Sequence, residues 1–435
     1  MSNINKFVLE YSTMFRENSL DYDNRKPPKK VMQRFVRYLK EIDDPRKSNM
    51  IDYPLEEIFV ISFLSILAGA ERWEDIELFG NAYEKWLRKF LKLKNGIPSH
   101  DTFRRVFGLI DSRQLEKVTV AFMLDVIRKL KKNLKISNSG KQHIIVDGKE
   151  ANATGRKKDT DEEIKNLQTL HIYDNSDGIC LYSELINSKT NEIPVAQSIL
   201  KQMDLKKSIV TFDALHTQKK TISIIRENKG DYVGALKGNQ SGLNEDVRDY
   251  FTEGILEKIK EKGTDYYSTK EKAHNQVETR EFYLSRDVKW FGELKLWMDL
   301  KSFICYKKTM VNLVTEKQTT ETRYYISNLV DVVECGQAIR GHWGIENSLH
   351  WYLDAVFHED DNTTVDKNAF NNFSIMNKMT LALLKLSKPV FKKNSIASMR
   401  KQFGWVMQDC MSKVLNFFSD EDIADCLKSA IKTKN

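Results

Sequence analysis

Hydrophobic residues recur at three- and four-residue steps in the first third of the chain, and this spacing predicts helices. Ser99 follows a Gly-Ile-Pro turn and is a suitable N-cap for one of them. The pattern predicts an all-helical region over 31–138, preceded by a polar, basic segment at 1–30. The clearest series are Phe35, Tyr38, Leu39 and Ile42, then Phe79, Tyr83, Trp86, Leu87 and Phe90.

After residue 138 the pattern changes to short apolar runs that alternate with helical segments. The order of these elements, β-β-β-α-β-α-β, is that of the ribonuclease H-like fold, in which the first and fourth strands are neighbours. The sequence therefore predicts an α/β core that brings residues 147 and 213 together. The expected strands are 143–147, 169–174, 179–186, 208–213 and 231–236, and the expected helices are 192–203 and 217–227.

The remainder of the chain begins with a predicted helix at 241–253 and continues with β-forming runs. The alternation at 278–284, 302–306 and 322–327 is typical of strands. Helical spacing then returns around residue 346, at 366–386 and at about 394–425.

Composition narrows the class of protein. A chain of 435 residues with 41% apolar residues is long enough for two or three domains. A net charge of +8 favours a polyanionic partner, although only modestly. The longest apolar stretch, 58–70, is too short to span a bilayer, and the first residues do not resemble a signal peptide. Five scattered cysteines without a CxxC pair favour a reducing compartment, so we expect a cytoplasmic protein with no membrane partner.

Two aspartates end predicted strands and are candidate metal ligands. Asp147 follows Ile-Ile-Val and precedes Gly148, and Asp213 follows a second apolar run. A carboxylate in such surroundings is unfavourable unless something compensates its charge, and a cation would do so. Carboxylate oxygens suit Mg²⁺ or Mn²⁺, and two such ions can clamp the attacking and leaving oxygens of a phosphodiester. A turn at the strand end, stabilised by the aspartate side chain, is the alternative.

Glu346 lies in a segment, 340–351, that is predicted to be helical. His342 and His350 are four residues to either side, so the three side chains share a face and could form a zinc site. An amphipathic helix with a purely structural role is a further alternative, and in that case the core residues would be Trp343, Leu349, Trp351 and Leu353.

Eight short motifs, in this order and at these separations, resemble those of the DDE insertion-sequence transposases, specifically the ISAs-type group with the H-repeat-associated proteins. The resemblance covers most of the chain. The motifs are DPR at 44–46, LAGAERWEDI at 67–76, GIPSHDTF at 96–103, VDGK at 146–149, KTNEIP at 189–194, TFDA at 211–214, ALKGNQ at 235–240 and HWGIEN at 342–347.

The resemblance implies a DNA transposase with a two-metal mechanism. Asp147, Asp213 and Glu346 would be the catalytic residues and would hold two Mg²⁺ or Mn²⁺ ions, with Asp147 bridging both. The partner would be double-stranded DNA, namely the terminal repeats and the target, bound by a homodimer. The implied domains are a basic segment at 1–30, a helical domain at 31–138, a ribonuclease H-like core at 139–254 and 331–390, a β-rich insertion at 255–330, and a helical tail at 391–435.

The sequence departs from the wider group of related transposases around the glutamate. A tyrosine, an arginine and a lysine are usual there, whereas this chain has Ile339, His342 and Leu353. Arg340 is a possible substitute for the missing arginine. Four further acids follow the glutamate and are either additional metal ligands or part of a solvated loop: Asp354, Glu359, Asp360 and Asp361.

Basic and amide side chains near the motifs are candidates for contacting DNA, although a solvated surface is the alternative for several of them. Trp290, Phe291 and Trp297 could stack an unpaired base or form the core of the insertion. The candidates for DNA contact are Lys149, Arg156, Lys157, Lys158, Lys219, Lys220, Lys237, Asn239, Gln240, Arg340 and His342.

Two other functions remain open at this point. One is a transposase-derived DNA-binding protein or repressor that does not transfer strands. The other is a metal-dependent nuclease that cuts without joining.

Overall fold

The computed structural model describes residues 34–133, 140–151, 156–157, 163–164, 166–186, 192–273, 275–388, 391, 394–407 and 409–411. The basic segment at 1–30, Lys158 and the end of the predicted tail lie outside these residues. The first described part is helical, as expected, and Ser99 caps α3 by accepting a hydrogen bond from the Thr102 amide. A helical segment at 34–39 precedes α1 (Leu55–Leu67), α2 (Trp73–Leu87), α3 (His100–Leu109) and α4 (Ser112–Asn133).

A nine-stranded mixed sheet forms the centre of the molecule, with the strand order β5-β4-β1-β6-β7-β11-β10-β9-β8. The remaining strands, β2 (Arg156–Lys157) and β3 (Glu163–Ile164), pair with each other. The strands of the large sheet are β1 (Gln142–Ala151), β4 (Leu167–Asp174), β5 (Ile179–Ile186), β6 (Ser208–Phe212), β7 (Asp231–Leu236), β8 (Tyr266–Ala273), β9 (Gln276–Ser285), β10 (Ser302–Asn312) and β11 (Gln318–Ser327).

The later helices differ from the predicted ones mainly at their ends. The helix predicted at 241–253 ends at Tyr250, and a further helix at Glu253–Lys262 was not predicted. The segment around residue 346 is interrupted. They are α5 (Glu192–Gln202), α6 (Lys219–Glu227), α7 (Ser241–Tyr250), α8 (Glu253–Lys262), α9 (Val332–His342), a π-helical turn (Glu346–His350), α10 (Trp351–Ala355), α11 (Lys367–Ser387) and α12 (Ile396–Trp405). The expected mixed α/β class is confirmed, and none of the described helices combines the length and apolarity needed to cross a bilayer.

Strand β1 is the centre of the arrangement that matters for the site. It pairs with β4 in antiparallel and with β6 in parallel orientation, so the first and fourth of the predicted strands are neighbours. Strand β7 continues the sheet in parallel with β6. Strands β1 and β6 both lie in the interior of the sheet. Strand β6 is buried throughout, and β1 is buried over its apolar run at 144–146.

The β-rich segment extends the same sheet, because β11 pairs with β7 in antiparallel orientation. Its first strand, β8, is polar and was not among the predicted strands. Phe291 and Trp297 are buried in this segment, as the core alternative requires. Trp290 is partly exposed and stacks on Tyr250, with the ring centroids 4.9 Å apart.

Helix α11 connects the N-terminal helices to the sheet. It packs against α1, α3 and α4 and also against β5, and nearly all of its residues are buried. Helix α5 and His350 lie on opposite faces of the sheet. A side chain at Gly148 would point at Glu192 of α5, whereas Asp147 faces His350, and adjacent residues of a strand point to opposite faces. The site described below therefore lies on the face that carries α9, α10 and α11.

Candidate active site

Asp147 and Asp213 lie side by side on adjacent parallel strands. Val146 of β1 is paired with Phe212 of β6, and each aspartate is the next residue along its strand or directly after it. Neighbouring strands are about 4.8 Å apart, so the two aspartates stand at one level of the sheet. Both are partly buried, and the side chain of Asp147 is 25% exposed.

Glu346 reaches the same place from the π-helical turn that follows α9. The carboxylate oxygens of Asp147 and Glu346 and a ring nitrogen of His350 all lie within 4.8 Å of one another. His350 Nδ1 is 3.0 Å from Glu346 Oε2 and 3.9 Å from Asp147 Oδ2. Two of the three predicted acids therefore form a compact cluster with a histidine, and Asp213 flanks this cluster on the neighbouring strand.

Glycines allow the helix to approach the sheet this closely. A Cβ atom added at Gly341 would be 2.7 Å from the ring of His143 on β1. One added at Gly344 would be 2.7 Å from the Asn175 side chain. These separations are too short for real atoms, so larger residues would push the end of α9 and the following turn away from Asp147.

The electrostatics of the cluster reflect the accumulation of negative charge. Burial, together with the carboxylates of Asp213 and Glu346, raises the pKa of Asp147 to about 6, and His350 opposes this increase. The hydrogen bond with His350 lowers the pKa of Glu346. Asp213 and Glu346 thus both act on the carboxyl group of Asp147, so the charges of the three acids lie in one neighbourhood.

His342 is engaged by the protein in a buried contact. Its Nδ1 atom is 3.0 Å from the hydroxyl of Thr211, and that hydroxyl is also 2.9 Å from Nε2 of His143. Burial lowers the pKa of both histidines to about 4. His342 therefore forms part of a neutral contact between α9 and the β1–β6 pair.

Asn239 and Gln240 stabilise the loop after Asp213. Asn239 Nδ2 donates a hydrogen bond of 2.6 Å to the carbonyl of Ala214, and Gln240 Nε2 donates one of 2.7 Å to the carbonyl of Thr217. Within the loop, the amide of His216 donates to Asp213 Oδ1 at 3.2 Å. Both amide side chains are thus engaged by the protein itself.

The basic candidates for DNA contact are in different environments. Lys149 is 7% exposed and forms ion pairs with Asp354 at 2.6 Å and Asp360 at 3.1 Å. Burial alone would lower its pKa, but Glu359, Asp354 and Asp360 raise it. Asp354 and Asp360 are therefore partners of Lys149, whereas Asp361 is exposed and lies 3.4 Å from His358.

The other basic candidates are more accessible where their side chains are described. Arg340 is exposed and forms an ion pair with Glu271 of β8. Lys237 and Lys220 are exposed, and Lys219 pairs with Glu293 at 2.8 Å. Arg156 and Lys157 form strand β2.

The sequence prediction did not include His171 in the site, and one of its alternatives placed two exposed tryptophans in the core. His171 lies opposite Asp147 in the β1–β4 register, is 1% exposed, and its Nδ1 is 3.1 Å from His350 Nε2. A histidine within the apolar run of β4 was the signal that could have identified it. Trp343 and Trp351, which the amphipathic alternative placed in the core, are 44% and 54% exposed, whereas Leu349 and Leu353 are buried.

Comparison with known proteins identifies relatives over nearly the whole chain. A family model described as "Transposase DDE domain" matches residues 138–383, and one described as "DDE_Tnp_1-associated" matches residues 36–123. The "Putative transposase YncI" of Escherichia coli O157:H7 is 30% identical over 92% of this chain and 97% of its own length. The "H repeat-associated putative transposase YhhI" of Escherichia coli K12 is 29% identical over 85% of this chain and 95% of its own.

Among solved structures, a piggyBac transposase synaptic complex with hairpin DNA covers 90% of this chain and 81% of its own chain. The sequence identity is 11% and the TM-score is 0.38. The family model for the transposase domain alone spans more than half of the sequence and contains Asp147, Asp213 and Glu346. The chain therefore belongs to the family of transposases with a DDE domain, as its motifs indicated.

Proposed function

We propose that this protein cleaves DNA at the ends of its mobile element and joins the released ends to target DNA. The observation that carries the proposal is the convergence of three acids from distant parts of the chain. Asp147 and Asp213 lie on paired strands, and Glu346 is brought to Asp147 by the turn after α9. Structural stability gives no reason to gather three carboxylates, whereas metal-dependent phosphodiester chemistry does.

The sheet supports the proposed ribonuclease H-like core. Strands β5, β4 and β1 are antiparallel neighbours, and β6 and β7 continue in parallel from β1. We assign the core to the strands β1 and β4–β7 with helices α5, α6 and α9, and the insertion to β8–β11.

The donor set fits hard divalent cations. Carboxylate oxygens are the ligands that Mg²⁺ and Mn²⁺ prefer. Asp147 and Glu346 offer them within the cluster, and Asp213 offers them from the position directly after β6. In the proposal Asp147, Asp213 and Glu346 would together hold the divalent ions. Bound ions would act as Lewis acids at the phosphodiester and lower the pKa of an attacking water.

The surrounding residues prepare this site in distinct ways. The Thr211–His342 contact and the glycines of the following turn set the distance between Glu346 and the sheet. Asn239 and Gln240 hold the loop that carries Asp213. The attacking groups in the proposed sequence are water first and then the 3′-hydroxyl of the element end, which attacks the target strand in the same site.

Double-stranded DNA is the proposed partner. The net charge of +8 supports a polyanionic ligand, and Lys237 and Arg340 are exposed near the site. We propose a homodimer in the DNA complex, because two element ends must be joined in a coordinated reaction.

The test is a cleavage and joining assay with the full-length protein, a labelled element end and Mg²⁺ or Mn²⁺. We expect the wild type to cleave the element end and join it to target DNA. Asp147→Asn, Asp213→Asn and Glu346→Gln should each reduce the cleavage rate at least ~1,000-fold, about the loss caused by removing a group that stabilises charge in a transition state. The matched control is Asp249→Asn, since Asp249 is 70% exposed and pairs only locally with Arg248 among the described contacts.

The outcomes separate the competing functions. Cleavage without joining would support the nuclease that only cuts. Sequence-specific binding to the element end without metal-dependent cleavage would support the repressor. Equal activity of the three acid variants and the Asp249→Asn control would refute the assignment of the site.

A further inference from the structure

His350 is positioned like a ligand rather than like a supporting residue. Its Nδ1 atom lies between two carboxylates, 3.0 Å from Glu346 Oε2 and 3.9 Å from Asp147 Oδ2, and the side chain is only 5% exposed. Ligand atoms that share an ion at about 2.1 Å are separated by roughly 3 Å. Small adjustments of this trio would bring all three atoms to such separations.

We infer that His350 binds a divalent cation through Nδ1, together with Asp147 and Glu346. The site would then have a mixed nitrogen and oxygen donor set rather than carboxylates alone. The inference rests on the proposed function, because it concerns the metal site of that reaction.

The second nitrogen of His350 also has a hydrogen-bonding partner. Its Nε2 atom is 3.1 Å from Nδ1 of His171. Histidines that bind metals usually donate their other N–H to an acceptor, which fixes the tautomer and the orientation of the ring. His171 is suited to this role because it is 1% exposed and lies opposite Asp147 in the β1–β4 register.

When both histidines are neutral, the pair has two proton arrangements with different consequences at the acids. If His171 donates from Nδ1, then neutral His350 carries its proton on Nδ1 and donates it to Glu346. If His350 donates from Nε2, its Nδ1 lone pair faces the two carboxylates, which is favourable only with a cation among them. Cation binding would select the second arrangement.

A nitrogen ligand changes the metal preference of the site. Imidazole favours transition metals, whereas Mg²⁺ prefers oxygen ligands. We therefore expect His350 to contribute more to the binding of Mn²⁺ than to the binding of Mg²⁺.

The experiment measures Mn²⁺ binding by the full-length protein with electron paramagnetic resonance, without DNA and without an activity assay. Pulsed measurements detect the ¹⁴N coupling of a directly bound imidazole, and labelling with ¹⁵N-histidine changes that coupling. We expect the coupling in wild type, and its loss in His350→Gln together with Mn²⁺ binding weakened roughly 10- to 100-fold. His171→Asn should retain the coupling but bind Mn²⁺ about 10-fold more weakly.

The matched control is His100→Gln. His100 also pairs with a glutamate, since its Nδ1 is 2.8 Å from Glu77 Oε2, but it lies on α3 in the helical region. The His100→Gln variant should bind Mn²⁺ with the same affinity as the wild type.

Several results would overturn the inference. The absence of histidine coupling in Mn²⁺-loaded wild type would refute it whether or not any variant folds. Unchanged Mn²⁺ affinity in a folded His350→Gln variant would do the same. In both cases metal-dependent cleavage by the wild type would leave the proposed function intact, whereas wild type that neither binds Mn²⁺ nor cleaves DNA would contradict both.

Discussion

Asp147 combines burial with the repulsion of two neighbouring acids. Burial and the charges of Asp213 and Glu346 raise its pKa to about 6, well above that of an aspartate in an unfolded chain. A carboxyl group whose pKa is raised by folding favours the folded state at low pH and opposes it once it ionises. The stability that the protonated Asp147 carboxyl group contributes to the folded state is therefore lost as the pH rises through about 6.

Replacing Asp147 by asparagine should stabilise the protein when divalent cations are absent. At pH 8 we expect the free energy of unfolding to increase by about 1 to 3 kcal/mol, because the variant has no carboxylate to ionise. The difference should become small below pH 4, where the carboxyl is protonated in both states. Urea unfolding across this pH range, with chelator present, measures the effect.

In excess Mg²⁺ the wild type should be more stable than Asp147→Asn, because a cation that binds only the folded wild type stabilises it. Asp249→Asn is again the control, and its stability should change little at any pH. A variant Asp147→Asn that is less stable than wild type at pH 8 without cations would contradict the account.

At the scale of elements, the approach of α9 and its following turn to β1 depends on Gly341 and Gly344. The Cβ atom of an alanine at residue 341 would be 2.7 Å from the His143 ring. This ring cannot move freely because it is hydrogen-bonded to the Thr211 hydroxyl. The helix must shift instead, and Glu346 shifts with it.

Gly341→Ala should reduce DNA cleavage by at least 10-fold while the protein remains folded, since small misplacements of catalytic groups have large effects. We expect a stability cost of about 1 to 3 kcal/mol from overpacking. Gly242→Ala in α7 is the control, because its added methyl group meets nothing within 4 Å. Cleavage rates and thermal unfolding are the measurements, and wild-type cleavage by a folded Gly341→Ala variant would refute the role of this contact.

Most elements of the sheet were predictable because their apolar positions have a local pattern. Strands β5 and β7 were predicted with the ends that the structure has. Strand β8 was missed because its sequence, YYSTKEKA, is polar, and it forms a strand by pairing with β9. The interruption after His342 was also missed, since it arises where Gly341 and Gly344 pack against β1 and the turn after β4.

At the scale of the molecule, a cluster of three buried polar side chains joins the helical layer to the sheet. Lys378 of α11 donates a hydrogen bond of 2.7 Å to the hydroxyl of Ser183 on β5, and that hydroxyl donates one of 2.5 Å to Glu116 of α4. Burial raises the pKa of Glu116 to about 7, although Lys378 lowers it. The three residues connect parts of the chain that are far apart in sequence.

Lys378→Met should destabilise the protein by about 3 kcal/mol or more above pH 7, because it leaves the ionised Glu116 buried without a cation. The loss should be smaller near pH 5, where Glu116 is protonated and neutral. Chemical denaturation at the two pH values measures it. The exposed Lys367→Met on the same helix is the control, and the double variant with Glu116→Gln should recover much of the loss. A loss of equal size at pH 5 and pH 9 would show that the charge of Glu116 is not the cause.

Local periodicity in the sequence determined the succession of helices and strands and placed Asp147 in one strand and Asp213 directly after another, because these features depend on nearby residues. Only the tertiary structure decided the partners of buried polar groups. The pairing of His350 with His171, the burial of Lys149 among acids and the exposure of Trp343 and Trp351 all depend on contacts between distant segments. Such contacts set burial and charge, and a pattern along one segment carries no information about the segment that will lie against it.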